Sequence, residues 1–314
     1  MLTNPMDVHT RFPVRKTKKQ KQAFRDAVQV FAEKMGYSCC EEAGSFGVRN
    51  LVIGDPKNAK YLVTAHYDTC ARLPVPNWIS PCNLFLFLLY QIFLTAIIIL
   101  PPLLVGWLAG ILLGQLYYGM LVGCLLIFVT IALMLVGPAN QQNANDNTSG
   151  VIAVLEILRT MPHNQRDKVC FVLFDLEEAG LLGSAAYRKA HKTETNNQMV
   201  MNLDCVGDGD HLLMFPTRAL KQNRKKLSSL YPICGYFGKK SLLVQEKGIC
   251  IYPSDQRNFP YGVGICALRK GRLGLSMSRI HTSKDTILEE TNINILRAAL
   301  TTYICCDAVQ KGKE

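Results

Sequence analysis

The sequence predicts an α/β protein, a sandwich built on a largely parallel sheet, that is interrupted by a hairpin of two membrane-spanning helices. Short apolar runs alternate with stretches of helical periodicity along most of the 314 residues. A stretch of 54 residues, 84–137, contains no Asp, Glu, Lys, Arg, His or Asn. The other 260 residues are enough for one domain with a sizeable core. A composition that is 49% hydrophobic excludes a disordered or collagen-like chain.

The first element is a helix over residues 15–36, which Gly36 can end. Its apolar residues recur at helical spacing: Phe24, Ala27, Val28 and Phe31. Basic residues concentrate in the same segment: Arg11, Arg15, Lys16, Lys18, Lys19, Lys21 and Arg25. We interpret them as the solvated face of an amphipathic helix, with attraction to an anionic membrane surface as an alternative. The net charge is +11, but no nucleic-acid-binding motif accompanies it, so no nucleic-acid partner is expected.

Five strands and two further helices follow from the apolar pattern. The strands are expected at 47–53, 61–65, 169–174, 199–203 and 262–268. The helices are expected at 148–158, after the capping residues Asn145, Asp146 and Asn147, and at 293–309.

The apolar stretch has room for two membrane spans, which need about 20 residues each. We place them near 84–104 and 115–136, with a tight reversal between them, so that 83–137 forms a transmembrane hairpin inserted into a catalytic domain split between 1–82 and 138–314. Gly106, Gly110 and Gly114 lie in its middle, either to let the helices approach closely or to form a glycine-rich turn. A buried helix pair in a soluble protein is the alternative, although the stretch lacks an amphipathic pattern.

Membrane orientation is inferred from several weaker signals. Arg72 is the only Lys or Arg close to either span, which favours cytoplasmic flanks. The N-terminal segment has no apolar stretch, so no secretory signal peptide is expected. Twelve cysteines include no Cys-x-x-Cys pair, and adjacent pairs such as Cys39–Cys40 favour a reduced compartment over a disulfide framework. We therefore expect an integral membrane protein whose catalytic domain lies on the cytoplasmic side.

Acidic residues and histidines follow the predicted strands. They are His66 and Asp68 after 61–65, Asp146 at a helix start, Glu177 and Glu178 after 169–174, Asp204 after 199–203, and His281 in a later polar turn. Functional groups of open α/β sheets gather at the carboxyl ends of the strands, so these side chains are expected to converge. They lie on both flanks of the hairpin. The number of membrane crossings between them must therefore be even, which is consistent with two.

The converging set suits zinc, which binds imidazole and carboxylate. Several carboxylates crowded together would raise each other's pKa, and two divalent ions would offset that repulsion. Asp146 suits a bridging position, and Asp68 could accept a hydrogen bond from the other ring nitrogen of His66. Of the adjacent Glu177 and Glu178, one can bind metal while the other acts as a general base toward water.

Five motifs then resemble the successive motifs of the M28 zinc peptidases. They are Ala-His-Tyr-Asp-Thr, Asn-Asp-Asn-Thr-Ser-Gly-Val, Glu-Glu-Ala-Gly-Leu-Leu-Gly-Ser, Asn-Leu-Asp-Cys-Val-Gly and His-Thr-Ser-Lys-Asp-Thr. Each is weak alone, but the five occur in the family's order across about residues 10–310, apart from the insertion. The resemblance implies a three-layer zinc exopeptidase fold with a mixed sheet and two zinc ions per chain.

The resemblance also implies residue roles. His66, Asp146, Glu178, Asp204 and His281 would be the zinc ligands, with Asp146 bridging. Glu177 would be the general base, and Asp68 would support His66. The implied activity is peptide hydrolysis, with an aminopeptidase as the leading hypothesis and a peptide as the substrate. The chain departs from the family pattern at Gln256, where a His commonly follows the Asp, and in the long insertion after Asp68.

Alternatives remain open from the sequence. A relative of the glutaminyl cyclases would use one zinc, and a membrane scaffold would retain the fold without activity. Asp208, Asp210 and His211 could form another metal site, but a polar turn is favoured. For Cys70 and Cys205, packing is favoured over nucleophilic catalysis because neither belongs to a Cys–His motif. The oligomeric state and the preferred peptide are left open.

Overall fold

The computed structural model describes residues 2–73, 75 and 77–310, with side chains to residue 306. Within them, ten strands form one mixed sheet. The strands are β1 (Cys39–Ala43), β2 (Arg49–Ile53), β3 (Tyr61–His66), β4 (Val169–Phe174), β5 (Met199–Leu203), β6 (His211–Pro216), β7 (Gly235–Phe237), β8 (Lys240–Val244), β9 (Gly262–Gly271) and β10 (Gly274–Ser276). The α-helices are α1 (Asp7–Arg11), α2 (Lys18–Lys34), α3 (Leu84–Leu112), α4 (Leu116–Val136), α5 (Gly150–Thr160), α6 (Leu182–Ala190), α7 (Lys192–Thr195), α8 (Arg218–Gln222), α9 (Arg224–Ser228) and α10 (Glu290–Gln310).

The centre of the sheet is parallel and its margins are antiparallel. The strand order is β1-β2-β4-β3-β5-β9-β6-β8-β7, with β10 paired to β9. Strands β4, β3, β5 and β9 run in the same direction, with Tyr61 opposite Val169 and Met199. Their carboxyl ends therefore lie at one edge of the sheet, as the sequence predicts for the site.

Successive side chains of the central strands point to opposite faces of the sheet, and helices cover both faces to give three layers. Val169, Phe171 and Leu173 of β4 face the main core, which α2, α5 and α10 cover. Cys170, Val172 and Phe174 face the other side, where Tyr187 of α6 packs. Both faces are buried, so the central strands appear in the sequence as continuous apolar runs. The predicted α/β class and three-layer arrangement are confirmed.

The observed element boundaries agree best with the predicted ones for the buried strands. Strands β4 and β5 match the predicted ranges at both ends, and β3 extends one residue further, to His66. The first predicted helix begins later, at Lys18, where Thr17 forms a capping box with Gln20. The margin strands β1, β6, β7, β8 and β10 were not predicted.

The insertion forms two long antiparallel helices with a three-residue turn. Helix α3 has 29 residues and α4 has 21. The first helix is longer than the predicted span 84–104, because α3 continues to Leu112, and the reversal therefore lies at 113–115. Gly106 and Gly110 form the helix–helix contact with α4, whereas Gly114 lies in the turn with a φ of 65°. A Cβ at Gly119 would lie 2.3 Å from the Gly106 carbonyl oxygen, so only glycine allows this approach. Nearly all other side chains of both helices are at least partly exposed, so the pair is not buried within this chain.

Candidate metal centre

The predicted site residues lie together at the carboxyl edge of the parallel strands. His66 is the last residue of β3, Glu177 and Glu178 follow β4, and Asp204 follows β5. Asp146 lies in a distorted helical turn, Ala144–Ser149, that leads into α5. The structure therefore brings together groups from both flanks of the hairpin.

The first group of donors surrounds His66. Its Nε2 lies 3.3 Å from Asp146 Oδ1 and 3.5 Å from Asp204 Oδ1. All three residues are buried, and their potential ligand atoms lie within 4.8 Å of one another. One imidazole and two carboxylates at this spacing are a suitable donor set for a zinc ion.

The second group surrounds His281. Its Nε2 lies 2.9 Å from Asp146 Oδ2 and 3.4 Å from Glu178 Oε2. The carboxylate of Asp146 therefore has one oxygen toward each histidine. This arrangement fits a carboxylate shared by two metal ions.

Asp68 supports the site from behind. Its carboxylate accepts hydrogen bonds from the backbone N–H of Glu177 at 3.0 Å and of Glu178 at 3.2 Å. Its Oδ1 also lies 3.4 Å from His66 Nδ1, the ring nitrogen turned away from Asp146. One buried side chain thus connects the loop after β4 to the histidine at the end of β3.

The residues around Asp146 fix its backbone. Asn147 donates from its side-chain amide to the carbonyl of Leu203, and its Oδ1 accepts from the N–H of Cys205. Asp285 accepts from the N–H of Asn145 at 2.8 Å and of Asp146 at 3.0 Å. The turn is therefore tied to the loop that carries Asp204 and to the loop that follows His281.

Backbone strain also concentrates here. Leu176, Cys205 and His281 all have positive φ, at 55°, 56° and 60°. Leu176 precedes Glu177, and Cys205 follows Asp204. His281 is itself a candidate ligand. A non-glycine residue in this region costs of order 1–3 kcal/mol, and such outliers cluster at functional sites.

The electrostatics indicate a surplus of negative charge. Burial and the nearby charge of Asp146 raise the pKa of Glu178, against the opposing effect of His281. Burial would lower the pKa of His66, but the charge of Glu177 and contact with Asp146 raise it well above its ordinary value. Burial likewise opposes ionisation of Asp146, yet its contacts with His281 and His66 hold its pKa low. A cation between these groups would remove the repulsion.

Unpartnered polar atoms support the same conclusion. Among the described residues, Glu178 Oε1 and Asp204 Oδ1 are buried without a hydrogen bond. Buried polar atoms are nearly always paired, so these exceptions need a partner. The donor types and the unpaired atoms fit zinc.

Sequence analysis missed several residues that shape the site. Arg15 is fully buried, and its guanidinium donates to the carbonyl of Tyr67 and the hydroxyl of Thr148. Interpreting the basic segment as a solvated face is thus wrong for Arg15, and also for Lys21 and Arg25, which are buried. Nothing in the local sequence distinguishes a buried arginine from an exposed one.

Two acidic residues in recognised motifs were also missed. Asp255 is fully buried, and burial raises its pKa to about 7. Asp285 is buried beside Asp146, and burial raises its pKa to about 8. Asp285 belongs to the motif His-Thr-Ser-Lys-Asp-Thr, and Asp255 directly precedes Gln256. The resemblance to the family is the only signal in the sequence that points to either residue.

Comparison with known proteins identifies the family. The model of peptidase family M28 matches residues 132–303, which is more than half of the chain. The chain belongs to peptidase family M28. The matched region includes Asp146, Glu177, Glu178, Asp204 and His281, whereas the motif with His66 and Asp68 lies before it. No curated protein sequence matches significantly.

Solved structures share the fold of this M28 chain. LapA aminopeptidase of Legionella pneumophila is 15% identical with a TM-score of 0.55, over 96% of this chain and 71% of that one. A Zn-dependent exopeptidase of Parabacteroides distasonis is 16% identical with a TM-score of 0.56, over 93% and 92%. Glutaminyl cyclase of Macrostomum lignano is 13% identical with a TM-score of 0.56, over 98% and 89%. At these identities the likeness concerns the fold alone.

Other residues considered from the sequence have different surroundings in this M28 chain. Asp208 forms ion pairs with Arg269 and Arg279, and Asp210 forms one with Lys240, which favours a structural role over a second metal site. Cys70 lies within 4.8 Å of ligand atoms of His281 and Glu178. Burial raises the pKa of its thiol well above the ordinary value, as expected for a packing residue.

Proposed function

We propose that the protein is a membrane-anchored exopeptidase that uses two zinc ions and acts as an aminopeptidase. One observation carries the proposal: Asp146 presents one carboxylate oxygen to His66 and the other to His281. His66, Asp204 and Asp146 would hold one ion, and His281, Glu178 and Asp146 the other. Membership of family M28 supports a zinc-dependent peptidase, and the geometry supports two ions.

The ions would polarise a scissile carbonyl and lower the pKa of water. Glu177 lies beside them, with its carboxylate within 4.8 Å of ligand atoms of His66 and Glu178. Burial raises the pKa of Glu177 well above its ordinary value, against the opposing charge of His66. A carboxylate with a raised pKa can take a proton from the attacking water near neutral pH and return it to the leaving amine.

The chain architecture supports membrane anchoring. We propose that 83–137 is a transmembrane hairpin and that 1–82 and 138–314 form one catalytic domain. Both hairpin helices exceed the about 30 Å of a bilayer core at about 1.5 Å per residue. Their exposed apolar surfaces would contact lipid. The catalytic domain is assigned to the cytoplasmic side.

Glu177→Gln tests the proposed base, and Glu178→Gln is its matched control. We expect Glu177→Gln to lower peptide hydrolysis by about 10²–10⁴-fold at nearly normal zinc content, because general bases contribute that much. Glu178→Gln should lose zinc as well as activity, because it removes a proposed ligand. The measurements are zinc content and hydrolysis of aminoacyl and acidic dipeptide substrates, with and without a chelator.

Several outcomes would overturn parts of the proposal. Full activity of Glu177→Gln would reject the assigned base. Release of the carboxyl-terminal residue would reject an aminopeptidase. One zinc per chain together with cyclisation of a glutaminyl substrate would favour the cyclase alternative.

A further inference from the structure

A cavity of about 350 Å³ connects the candidate metal centre to the base of the hairpin. Glu178 and His281, two of the proposed ligands, line it. Phe87, Gln91 and Leu94 of α3 and Met134 of α4 line it as well. The inserted hairpin therefore contributes a wall to the space beside the proposed ligands.

The cavity wall is one defined face of helix α3. Phe87, Gln91 and Leu94 follow each other at spacings of four and three residues, which places them on the same side of a helix. All three are half-buried, whereas Ile92 and Phe93 on the other side are exposed. The helix thus has one face toward the cavity and another toward its surroundings.

Backbone hydrogen bonds fix this wall relative to the metal centre. The N–H of Leu73, in the segment leading to the hairpin, donates to the carbonyl of His281 at 2.9 Å. The N–H of Asn140, just after the hairpin, donates to the carbonyl of Cys70 at 3.0 Å. Both ends of the insertion are therefore attached within a few residues of the proposed ligands.

The chemistry of the wall selects its occupant. Apart from Glu178 and His281, the described residues that line the cavity carry no charge. A charged substrate side chain would lose its hydration there without gaining a partner. Ligand pockets span about 300–1,000 Å³, so this cavity is at the small end and suits a single residue rather than a long peptide.

Gln91 provides an independent indication of a polar ligand group. It is the only strongly polar side chain within α3, and it lies on the cavity face. A polar residue in an otherwise apolar span usually faces a cavity and serves a function. Its amide can both donate to and accept from a peptide backbone.

We propose that the hairpin base is the specificity pocket of the enzyme and accepts the large apolar terminal residue of a peptide. The side chain would pack between Phe87, Leu94 and Met134, and Gln91 would hydrogen-bond the peptide backbone. The proposal rests on the exopeptidase function proposed above. It makes the hairpin part of the substrate site rather than only an anchor.

Leu94→Trp tests the proposal in the full-length protein, purified in detergent. The larger side chain would fill the pocket without altering a proposed ligand. Ile92→Trp is the matched control, because it places the same residue on the outer face of the same helix. The readout is kcat/KM for leucyl, phenylalanyl, alanyl and glycyl aminomethylcoumarin, with zinc content as a check on folding.

For the wild type we expect kcat/KM for the leucyl substrate to exceed that for the alanyl substrate at least tenfold, since each added methylene in an apolar pocket contributes about 10–200-fold. Leu94→Trp should lower cleavage of the leucyl and phenylalanyl substrates at least about tenfold while sparing the glycyl substrate. Ile92→Trp should leave all ratios unchanged. If Leu94→Trp lowers kcat/KM equally for all four substrates, or leaves every kcat/KM unchanged, the pocket assignment is overturned.

The design separates this inference from the proposed function. If the wild type cleaves glycyl and alanyl substrates without favouring apolar ones, the pocket assignment fails and the exopeptidase proposal stands. If the zinc-loaded wild type cleaves no peptide from either end, the exopeptidase proposal fails and the pocket assignment fails with it. Calorimetric titration with the free amino acid L-phenylalanine gives a second readout, and Leu94→Trp should weaken this binding at least about tenfold.

Discussion

Asp68→Asn is the most informative perturbation of the support behind the proposed metal centre. The Asp68 carboxylate accepts from the N–H groups of Glu177 and Glu178 at 3.0 and 3.2 Å and lies 3.4 Å from His66 Nδ1. Asparagine has the same shape, but only one of its two terminal atoms can accept a hydrogen bond. At least one of the donors around it would therefore lose its acceptor.

The expected magnitude follows from these contacts. A hydrogen bond to a charged group contributes about 1.5–3 kcal/mol. Partners that orient metal-binding histidines typically contribute 10–100-fold in metal affinity, which is about 1.4–2.8 kcal/mol. We expect Asp68→Asn to weaken zinc binding 10–100-fold and to lower kcat/KM by a similar factor. Competition with a chromophoric chelator measures the affinity directly.

Asp208→Asn is the matched control. Asp208 is also a buried carboxylate with charged partners, but its ion pairs are to Arg269 and Arg279 outside the centre. This variant should lower thermal stability without changing zinc affinity. Unchanged zinc affinity in Asp68→Asn, or an equal loss in both variants, would refute the assigned role of Asp68.

Acid dependence gives a further check on Asp68. Although burial opposes ionisation, contact with His66 and the hydrogen bonds lower the pKa of Asp68. Its folded-state pKa thus lies below that of the unfolded chain. The corresponding stability is present above the unfolded value of about 4 and is lost as the pH falls through the folded value. Asp68→Asn should therefore show a smaller loss of thermal stability between pH 5 and acid than the wild type.

Three further predictions concern the core, the hairpin and the ions. Arg15→Met should lower the free energy of unfolding by at least about 1–3 kcal/mol, because it removes the donor to the buried carbonyl of Tyr67; unchanged thermal stability would contradict this. Gly119→Ala should be less stable in detergent than Gly123→Ala by about 1–3 kcal/mol, because its Cβ would lie 2.3 Å from a carbonyl oxygen, against 3.4 Å at Gly123. Equal melting temperatures would reject the close helix contact. Removing metal with a chelator should lower the melting temperature reversibly, since a ligand at 1,000 times its Kd stabilises by about 4 kcal/mol; a chelator without effect would count against bound metal.

The sequence predicted the parallel centre of the fold better than its margins. Strands β4 and β5 are buried on both faces and stand out as continuous apolar runs. Strand β1, Cys-Cys-Glu-Glu-Ala, lies at the edge of the sheet and is partly exposed, so its residues carry no comparable pattern. This strand forms because it pairs with β2 and because of its tertiary context. A local sequence pattern contains neither of these.

The site shows a similar division. Residues that follow buried strands within three positions, such as Glu177 and Asp204, were predictable because strand ends in a parallel sheet meet at one edge. Arg15 was not, because its partners Tyr67 and Thr148 are distant in sequence. In the hairpin, Gly106 suited both a turn and a close contact, and only the position of Gly119 opposite it decides for the contact.

Zinc stoichiometry of the purified full-length protein tests the central claim most directly. Elemental analysis of the wild type should return two zinc ions per chain, because Asp146 presents one carboxylate oxygen to His66 and the other to His281. Asp146→Ala, which removes the shared carboxylate, should lose both. A wild-type chain that binds no zinc, or only one ion at saturating zinc, would contradict the account.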